Sequence, residues 1–321
     1  MQRRNLIILL GAALLPTAMG RAQEPGRIYR LGILRPGPPD HAYGAAFRDE
    51  LRRSGFVEGQ NLQIDDRDFV PVEGASDVAM AMVATGVEAL SIAGEQLARA
   101  VQKATRTVPI LTVGEDLVLS GLVSSLAHPG SNTTGISVLA TELDGKRQEL
   151  LTELVPAAHH IAALADPGVT MPEQLRTLED AARARGIELS VYRVSKPEEI
   201  ASAIDMAQAS GAQALNVLTS AFFRANQHLI IERAATLKLP AIYQWPENAE
   251  AGGLAAYGPR FAEIARQSAR ILIKIFRGAK PADIPIEQPD KFELVINLKT
   301  AKALGLIVPP LLLTQATDVI E

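Results

Sequence analysis

The side chains able to do chemistry in this 321-residue chain are few and scattered. Its histidines are His41, His128, His159, His160 and His228, and none falls in an H-E-x-x-H pattern. His159 and His160 look like a metal pair, but neighbours on a strand point to opposite faces, so the pair is expected to be a solvated strand start. There is no cysteine, which excludes disulfides, thiolate zinc sites, Fe–S clusters, cysteine nucleophiles and a lipidated N-terminal cysteine. Gly145-Lys146-Arg147 lacks the rest of a phosphate-binding P-loop. No G-x-G-x-x-G follows a strand, and no G-x-S-x-G nucleophile elbow occurs. Asp65-Asp66 and Glu198-Glu199 fall on expected element surfaces and read as solvated. The chemistry left is that of recognition. Glu115 and Asp166 offer acceptors for an ammonium or a hydroxyl, and Phe222, Tyr243 and Trp245 offer walls for an apolar or aromatic body. No cofactor is implied.

These residues need elements to position them, and the hydrophobic pattern supplies a regular set. Short apolar runs predict strands at 28–34, 61–68, 87–93, 109–113, 160–165, 187–194, 214–218 and 240–243. Helical patterns lie between them at 43–53, 76–85, 96–105, 172–185, 198–210 and 225–237. Alternation at this spacing means βαβ units and parallel sheets.

The rhythm repeats. Pro36 and Pro167 are 131 residues apart, as are Arg52 and Arg183, Gly55 and Gly186, Ala104 and Ala235, Thr105 and Thr236, and Pro109 and Pro240. Each glycine of this set closes a helix before the next strand, where a left-handed cap is needed. Generic βαβ punctuation could produce some of these matches. One constant offset over so long a stretch points instead to two lobes on one doubly wound plan.

Ligands of such sheets bind beyond the carboxyl ends of the strands. In the first half those ends carry Pro36, Gly37, Gly94, Glu95, Gln96, Gly114 and Glu115; in the second they carry Asp166, Ser220, Ala221, Phe222, Tyr243 and Trp245. Gly37, Gly94 and Gly114 let backbone approach a ligand closely. Ser220 occupies a helix N-cap position, where free N–H groups would favour a carboxylate. Each residue also has a plainer reading: Asp166 as a turn cap, Phe222 and Tyr243 as core, Trp245 as surface.

Lys plus Arg number 32 and Asp plus Glu 36, a net charge of −4 that disfavours a nucleic-acid binder. Residues 1–22 read as a cleaved export signal: Arg3 and Arg4, an apolar run from Leu6 to Met19 broken by Pro16, then Gly20-Arg21-Ala22. Arg3-Arg4 fits twin-arginine export but lacks the usual preceding Ser or Thr, so both export routes stay open. Removing the segment takes away three arginines and no acid, which moves the charge from −4 to −7.

The sequence resembles the exported substrate-binding proteins of ABC transporters, in the branch with tryptophan- and tyrosine-binding members. Residues 55–62, GFVEGQNL, are similar to that family's G-Y-V-E-G-x-N-[IL]. Residues 120–135, SGLVSSLAHPGSNTTG, resemble S-G-L-V-x-S-L-A-x-P-G-x-N-[VT]-T-G. Residues 239–243, LPAIY, 250–254, EAGGL, Tyr257-Gly258 and 291–306, KFELVINLKTAKALGL, match as well. The resemblance implies a type I periplasmic-binding fold, two lobes joined by hinge strands, and capture of a small solute for a membrane permease. Two loops depart from the family. Gly114-Glu115-Asp116 stands where G-D-P is common, and Ala165-Asp166-Pro167 where W-N-P is frequent.

The expectation is an α/β protein with two doubly wound parallel-sheet lobes: an export signal at 1–22, a first lobe of 27–140 plus 253–285, and a second of 141–252 plus 286–321. It is expected to be a periplasmic monomer that is not an enzyme, binds an amino acid or related small acid, serves an ABC permease and binds no nucleic acid. A sensory binding module and an α/β enzyme using Glu115 and Asp166 are the rivals.

Overall fold

A computed structural model describes residues 26–39, 41–68 and 70–321. The expected export segment lies outside the described residues. The chain forms two α/β lobes, each built on its own sheet.

In the first lobe the strands are β1 (Tyr29–Leu34), β2 (Leu62–Arg67), β3 (Ala89–Ala93), β4 (Ile110–Gly114) and β5 (Thr133–Ser137). They pair in parallel in the order β2-β1-β3-β4-β5. Helices α1 (His41–Arg53), α2 (Ala75–Ala84) and α3 (Glu95–Ala104) connect them. The chain then enters the second lobe through α4 (Ala140–Leu154) and β6 (His160–Ala165). There α5 (Pro172–Ala184), β7 (Glu188–Arg193), α6 (Pro197–Ala209) and β8 (Ala214–Val217) follow. Two short helices, α7 (Ala221–Ala225) and α8 (Gln227–Thr236), lead to β9 (Ala241–Tyr243), α9 (Pro246–Glu250) and β10 (Ala255–Gly258). Next come α10 (Phe261–Phe276), β11 (Glu293–Asn297), α11 (Leu298–Ala303), α12 (Pro310–Gln315) and β12 (Asp318–Ile320). The second sheet runs β12-β11-β10-β9-β8-β6-β7, with β11 antiparallel to β10.

Ignoring the added edge of β11 and β12, the two sheets share one strand order, 2-1-3-4-5 in each half. That identity is the physical content of the 131-residue repeat. Gly55 and Gly186, the paired glycines after α1 and α5, both have positive φ, at 90° and 68°, where a Cβ would be strained. The strands β6 and β8 are buried throughout, as parallel strands covered on both faces must be.

Two lobe boundaries differ from expectation. The return crossing was expected at 253, yet β10 pairs with β9 and β11 in the second sheet, so the chain leaves that lobe only after Gly258. From there α10 packs along α1 and buries Ile264, Ala269 and Leu272 in the first-lobe core with Leu31 and Phe47. The last crossing was expected to give residue 286 onward to the second lobe. Instead Ile286 is buried in a first-lobe cluster, and Glu287 bridges Ile136 of β5. Both crossings are decided by long-range pairing, which no local punctuation announces. The histidine reading also changes in part. His159 is exposed, but His160 is nearly buried and its Nε2 lies 2.7 Å from Ser190 Oγ.

One buried ion pair ties the second lobe together below the crossings. Asp144 and Arg147 on α4 are both fully buried and bonded to each other. Asp144 also accepts from Gln174 Nε2, the Thr219 N–H and the Thr219 hydroxyl, and Arg147 Nη1 donates to the Tyr257 carbonyl at 2.9 Å. Removing one partner strands the other charge in a dry interior, which typically costs about 3–5 kcal/mol. Arg147→Ala is therefore expected to lower unfolding free energy by about that amount in urea titrations, whereas a loss under 1 kcal/mol would mean the pair is solvated.

Candidate functional site

Strand order places the site. In each sheet it reverses between the first and third strand, so loops after β1 and β3 of one lobe face loops after β6 and β8 of the other. Three close approaches join the lobes there, each with a glycine in it. A Cβ on Gly37 would lie 2.7 Å from the Ala225 Cβ, and one on Gly94 2.9 Å from the Ala221 Cβ. A Cβ on Gly168 would sit 2.0 Å from Gln96 Nε2. Gly94 also has φ of 88°, so a side chain there is strained as well as crowded.

Two hydrogen-bonded contacts run across the same seam in opposite senses. Glu115, at the end of β4, accepts the Ala221 N–H of α7 through Oε1 at 3.2 Å. Asp166, at the end of β6, receives Gln96 Nε2 of α3 at 3.4 Å. Asp166 is otherwise held within its own lobe by the Ser220 hydroxyl at 2.7 Å and the Gly168 N–H at 2.9 Å.

Two cavities flank the Gly94–Ala221 neck. The larger, about 450 Å³, is lined by Pro36, Gly37, Gly94, Gly114, Glu115, Ser220, Ala221 and Trp245 among others, a volume in the usual range for small-molecule sites. The smaller, about 430 Å³, is lined by Glu95, Gln96, Asp166 and Phe222, and shares Pro36, Gly94 and Ala221 with the first. Both draw residues from both lobes. Tyr243 lines neither. It is buried in the second-lobe core with Leu215, Val217 and Phe223, its ring covers Gly253, and burial pushes its phenol pKa up. The alternation along β9 turns it inward, so it is withdrawn from the site. Trp245 was open to a surface reading, but only 5% of it is exposed, and its ring lies 4.9 Å from Phe261 of α10 in the first-lobe core.

The helix start at Ser220 does not offer the expected free N–H groups. Ser220 Oγ takes the N–H groups of Phe222 and Phe223, Gln244 Oε1 takes that of Ser220, and Glu115 takes that of Ala221. A ligand carboxylate needs another cation. The cavity lining holds two: Arg35, in the loop after β1 and given no role by the sequence, and Arg224 on α7, which spacing alone did not single out. Arg35 pairs with Asp66, and its buried Nε has no acceptor. Arg224 lies over the Phe261 ring at 4.6 Å. Tyr43, Glu247 and Phe261 also enter the lining unannounced. The scarcity of aromatics in the sequence was the one available signal for Tyr43 and Phe261.

Electrostatics set the character of the neck. Burial is the main cause that pushes Glu115 well above the usual carboxylate range, and the nearby charges of Glu95 and Asp166 add to it. Glu95 is pushed up to about 7, again chiefly by burial, against a 2.7 Å hydrogen bond from the Asp116 N–H. Asp166 is raised by burial despite its hydrogen bonds. Among the described residues nine buried side-chain polar atoms lack a hydrogen-bond partner. Four of them, Arg35 Nε, Glu115 Oε2, Trp245 Nε1 and Glu247 Oε2, belong to residues lining the larger cavity. Buried polar atoms are normally satisfied, so such a concentration marks a site shaped for a polar occupant.

Comparison with known proteins agrees with this architecture. A family model described as ABC transporter substrate binding protein matches residues 41–320. The chain belongs to that family. Its members are substrate-binding proteins and not enzymes, which removes the rival enzyme using Glu115 and Asp166. A tyrosine-binding protein of Clostridioides difficile is 27% identical over 263 residues, 81% of this chain and 75% of that protein. Among solved structures, the ABC domain from Streptococcus pneumoniae in complex with L-Trp superposes with a TM-score of 0.83 at 23% identity, covering 91% of this chain and all of that one. A ligand-free, open substrate-binding protein from Clostridium difficile gives 0.63 at 22% identity, covering 91% and 99%. At these identities the structural likeness establishes the fold, the type I periplasmic-binding arrangement of two lobes.

The raised pKa of Glu95 has a stability consequence. A carboxyl raised in the folded state stabilises that state fully below its unfolded pKa, near 4.3, and loses the contribution as pH climbs through about 7. The parent is thus expected to lose thermal stability from pH 5 to pH 8 more steeply than Glu95→Gln, which keeps an acceptor for the Asp116 N–H. Parallel melting curves for the two proteins would show Glu95 to be solvated.

Proposed function

We propose that this chain is an exported solute receptor that closes its lobes on a small zwitterion with an apolar or aromatic body and presents it to an ABC permease. The observation that carries this is the set of four unpartnered buried atoms, two acceptors and two donors, on residues around one largely apolar cavity between the lobes. Glu115 receives the ammonium, which supplies the cation its buried carboxyl lacks. Arg35 receives the carboxylate, and Arg224 lines the same cavity. Trp245, Phe261 and Tyr43 enclose the body.

The named ligands of relatives point the same way, tyrosine for the curated protein and L-Trp for the complex. The higher superposition score against that complex than against the open, ligand-free protein fits lobes already drawn together. Of the thirteen residues put forward from the sequence, this reading keeps Pro36, Gly37, Gly94, Gly114, Glu115, Ser220, Ala221 and Trp245 around the ligand. Glu95, Gln96, Asp166 and Phe222 form the adjoining latch. Closure is a population shift: ligand contacts both lobes only when they meet, so its binding energy favours the closed form that the permease recognises. Residues 1–22 direct export, and the mature protein works as a periplasmic monomer.

Calorimetry against aromatic amino acids tests this directly. At least one is expected to bind, and Glu115→Gln to weaken it tenfold or more, about 1.4 kcal/mol, with an unchanged fold. Gly37→Val, which wedges the seam at Ala225 without touching the polar groups, is expected to weaken it as well. Unchanged affinity in both variants would place the ligand elsewhere.

A further inference from the structure

The larger cavity contains a second acid whose role goes beyond the ammonium contact assigned to Glu115. Glu247 is the second residue of α9 and lines the cavity. Its Oε1 accepts the N–H of Phe261, the first residue of α10, at 2.9 Å. Its Oε2 is buried and has no partner. The charges of Arg224 and Arg260 reach Glu247, but Arg260 is held by Glu250 and Glu293. Beside it Trp245 carries a buried Nε1 with no acceptor. Helix capping explains Oε1 and leaves Oε2 unexplained.

Glu247 and Glu115 line the same cavity from different elements and hold different main-chain donors, Phe261 N–H for one and Ala221 N–H for the other. Glu115 meets the first residue of α7, Ala221, while Arg224, whose charge reaches Glu247, is three residues further along that helix, close to one turn or about 5 Å. The charges acting on Glu115 are those of Glu95 and Asp166, and those acting on Glu247 are the two arginines. Apolar wall, including Ile33, Val113 and Val138, lines the same cavity.

We infer that Glu247 is a second ligand-contacting carboxyl, and that the ligand carries hydrogen-bond donors at two separated places: an ammonium for Glu115 and a hydroxyl or ring N–H for Glu247. This rests on the cleft reading above and narrows its substrate class. Trp245, two residues before Glu247 and lining the same cavity, leaves its Nε1–H without an acceptor, so a group that both donates and accepts, such as a phenolic hydroxyl, could serve both. A ligand without the distal donor leaves the Glu247 oxygen unpaired in a closed cavity. Sites built to bond a substrate hydroxyl discriminate strongly against analogues that lack it.

Isothermal titration with two matched pairs tests this: L-tyrosine against L-phenylalanine, and tyramine against phenethylamine. In the parent the hydroxylated member of each pair is expected to bind at least tenfold tighter. In Glu247→Ala that gap is expected to fall to threefold or less. Glu247→Gln, which keeps an acceptor for the Phe261 N–H and hence the helix cap, is expected to narrow it in a protein of parental melting temperature. If the parent binds the probes without preferring the hydroxyl, or if the preference survives both substitutions, Glu247 is only a cap and the inference falls while the cleft reading stands. If neither the four probes nor L-tryptophan binds the parent, the cleft reading itself fails and takes the inference with it.

Discussion

The lobes meet through backbone, and everything else at the site follows from that closeness. At Gly37, Gly94 and Gly168 no Cβ could be added without striking Ala225, Ala221 or Gln96. The seam therefore closes far enough for the Glu115 carboxyl to reach a main-chain N–H of the other lobe, and for Gln96 to reach Asp166. A seam held by long side chains would leave water between the sheets. This one buries Glu95, Glu115 and Asp166, and burial is the main cause that raises their pKa values.

That burial explains how two lobes can be stable together and still open. Glu95, Glu115 and Asp166 crowd the neck, where each is penalised for holding charge. The short hydrogen bonds that secure Asp166 come from its own lobe, while its contact with Gln96 is long at 3.4 Å. The interlobe bonds are few and strained by desolvation, whereas each lobe has its own buried core and the second also has the Asp144–Arg147 network. Such an arrangement favours rigid lobes and a soft seam. A ligand that brings a cation to Glu115 relieves the penalty where it is greatest.

Much of the cavity lining was legible in the residues because strand ends form it and strand ends are local signals. The paired glycines, Gly55 and Gly186, announced the duplicated plan, and the loops after β1, β3, β4, β6 and β8 delivered all their proposed residues to one of the two cavities. Tyr243 failed because the end of β9 still alternates into the core. Ser220 lines the larger cavity as the N-cap of α7, but Gln244 and Glu115 arrive from distant sequence to take the donors it was expected to leave free. Glu247 and Phe261 were invisible for the related reason that they depend on where α10 crosses back, whereas Arg35 stood in the loop after β1 and only its unpaired buried Nε was hidden. That crossing is fixed by the pairing of β10 in the second sheet and by the packing of α10 on α1. The four unpaired atoms of the cavity are a property of three-dimensional packing alone, and no spacing rule encodes them.

The central claim is that occupancy of the cavity draws the two lobes together. The absence of native cysteine makes one distance measurement decisive. Val72 and Ser195 line the smaller cavity from opposite lobes, and their exposed neighbours Glu73 and Glu198 can carry spin labels as Glu73→Cys and Glu198→Cys. Pulsed electron resonance on that double variant is expected to show a broad or bimodal distance distribution without ligand. Saturation with whichever aromatic amino acid binds by calorimetry should collapse it to a single shorter distance. A distribution that the bound amino acid leaves unchanged would contradict the account, because the ligand would then be held without the two lobes meeting around it.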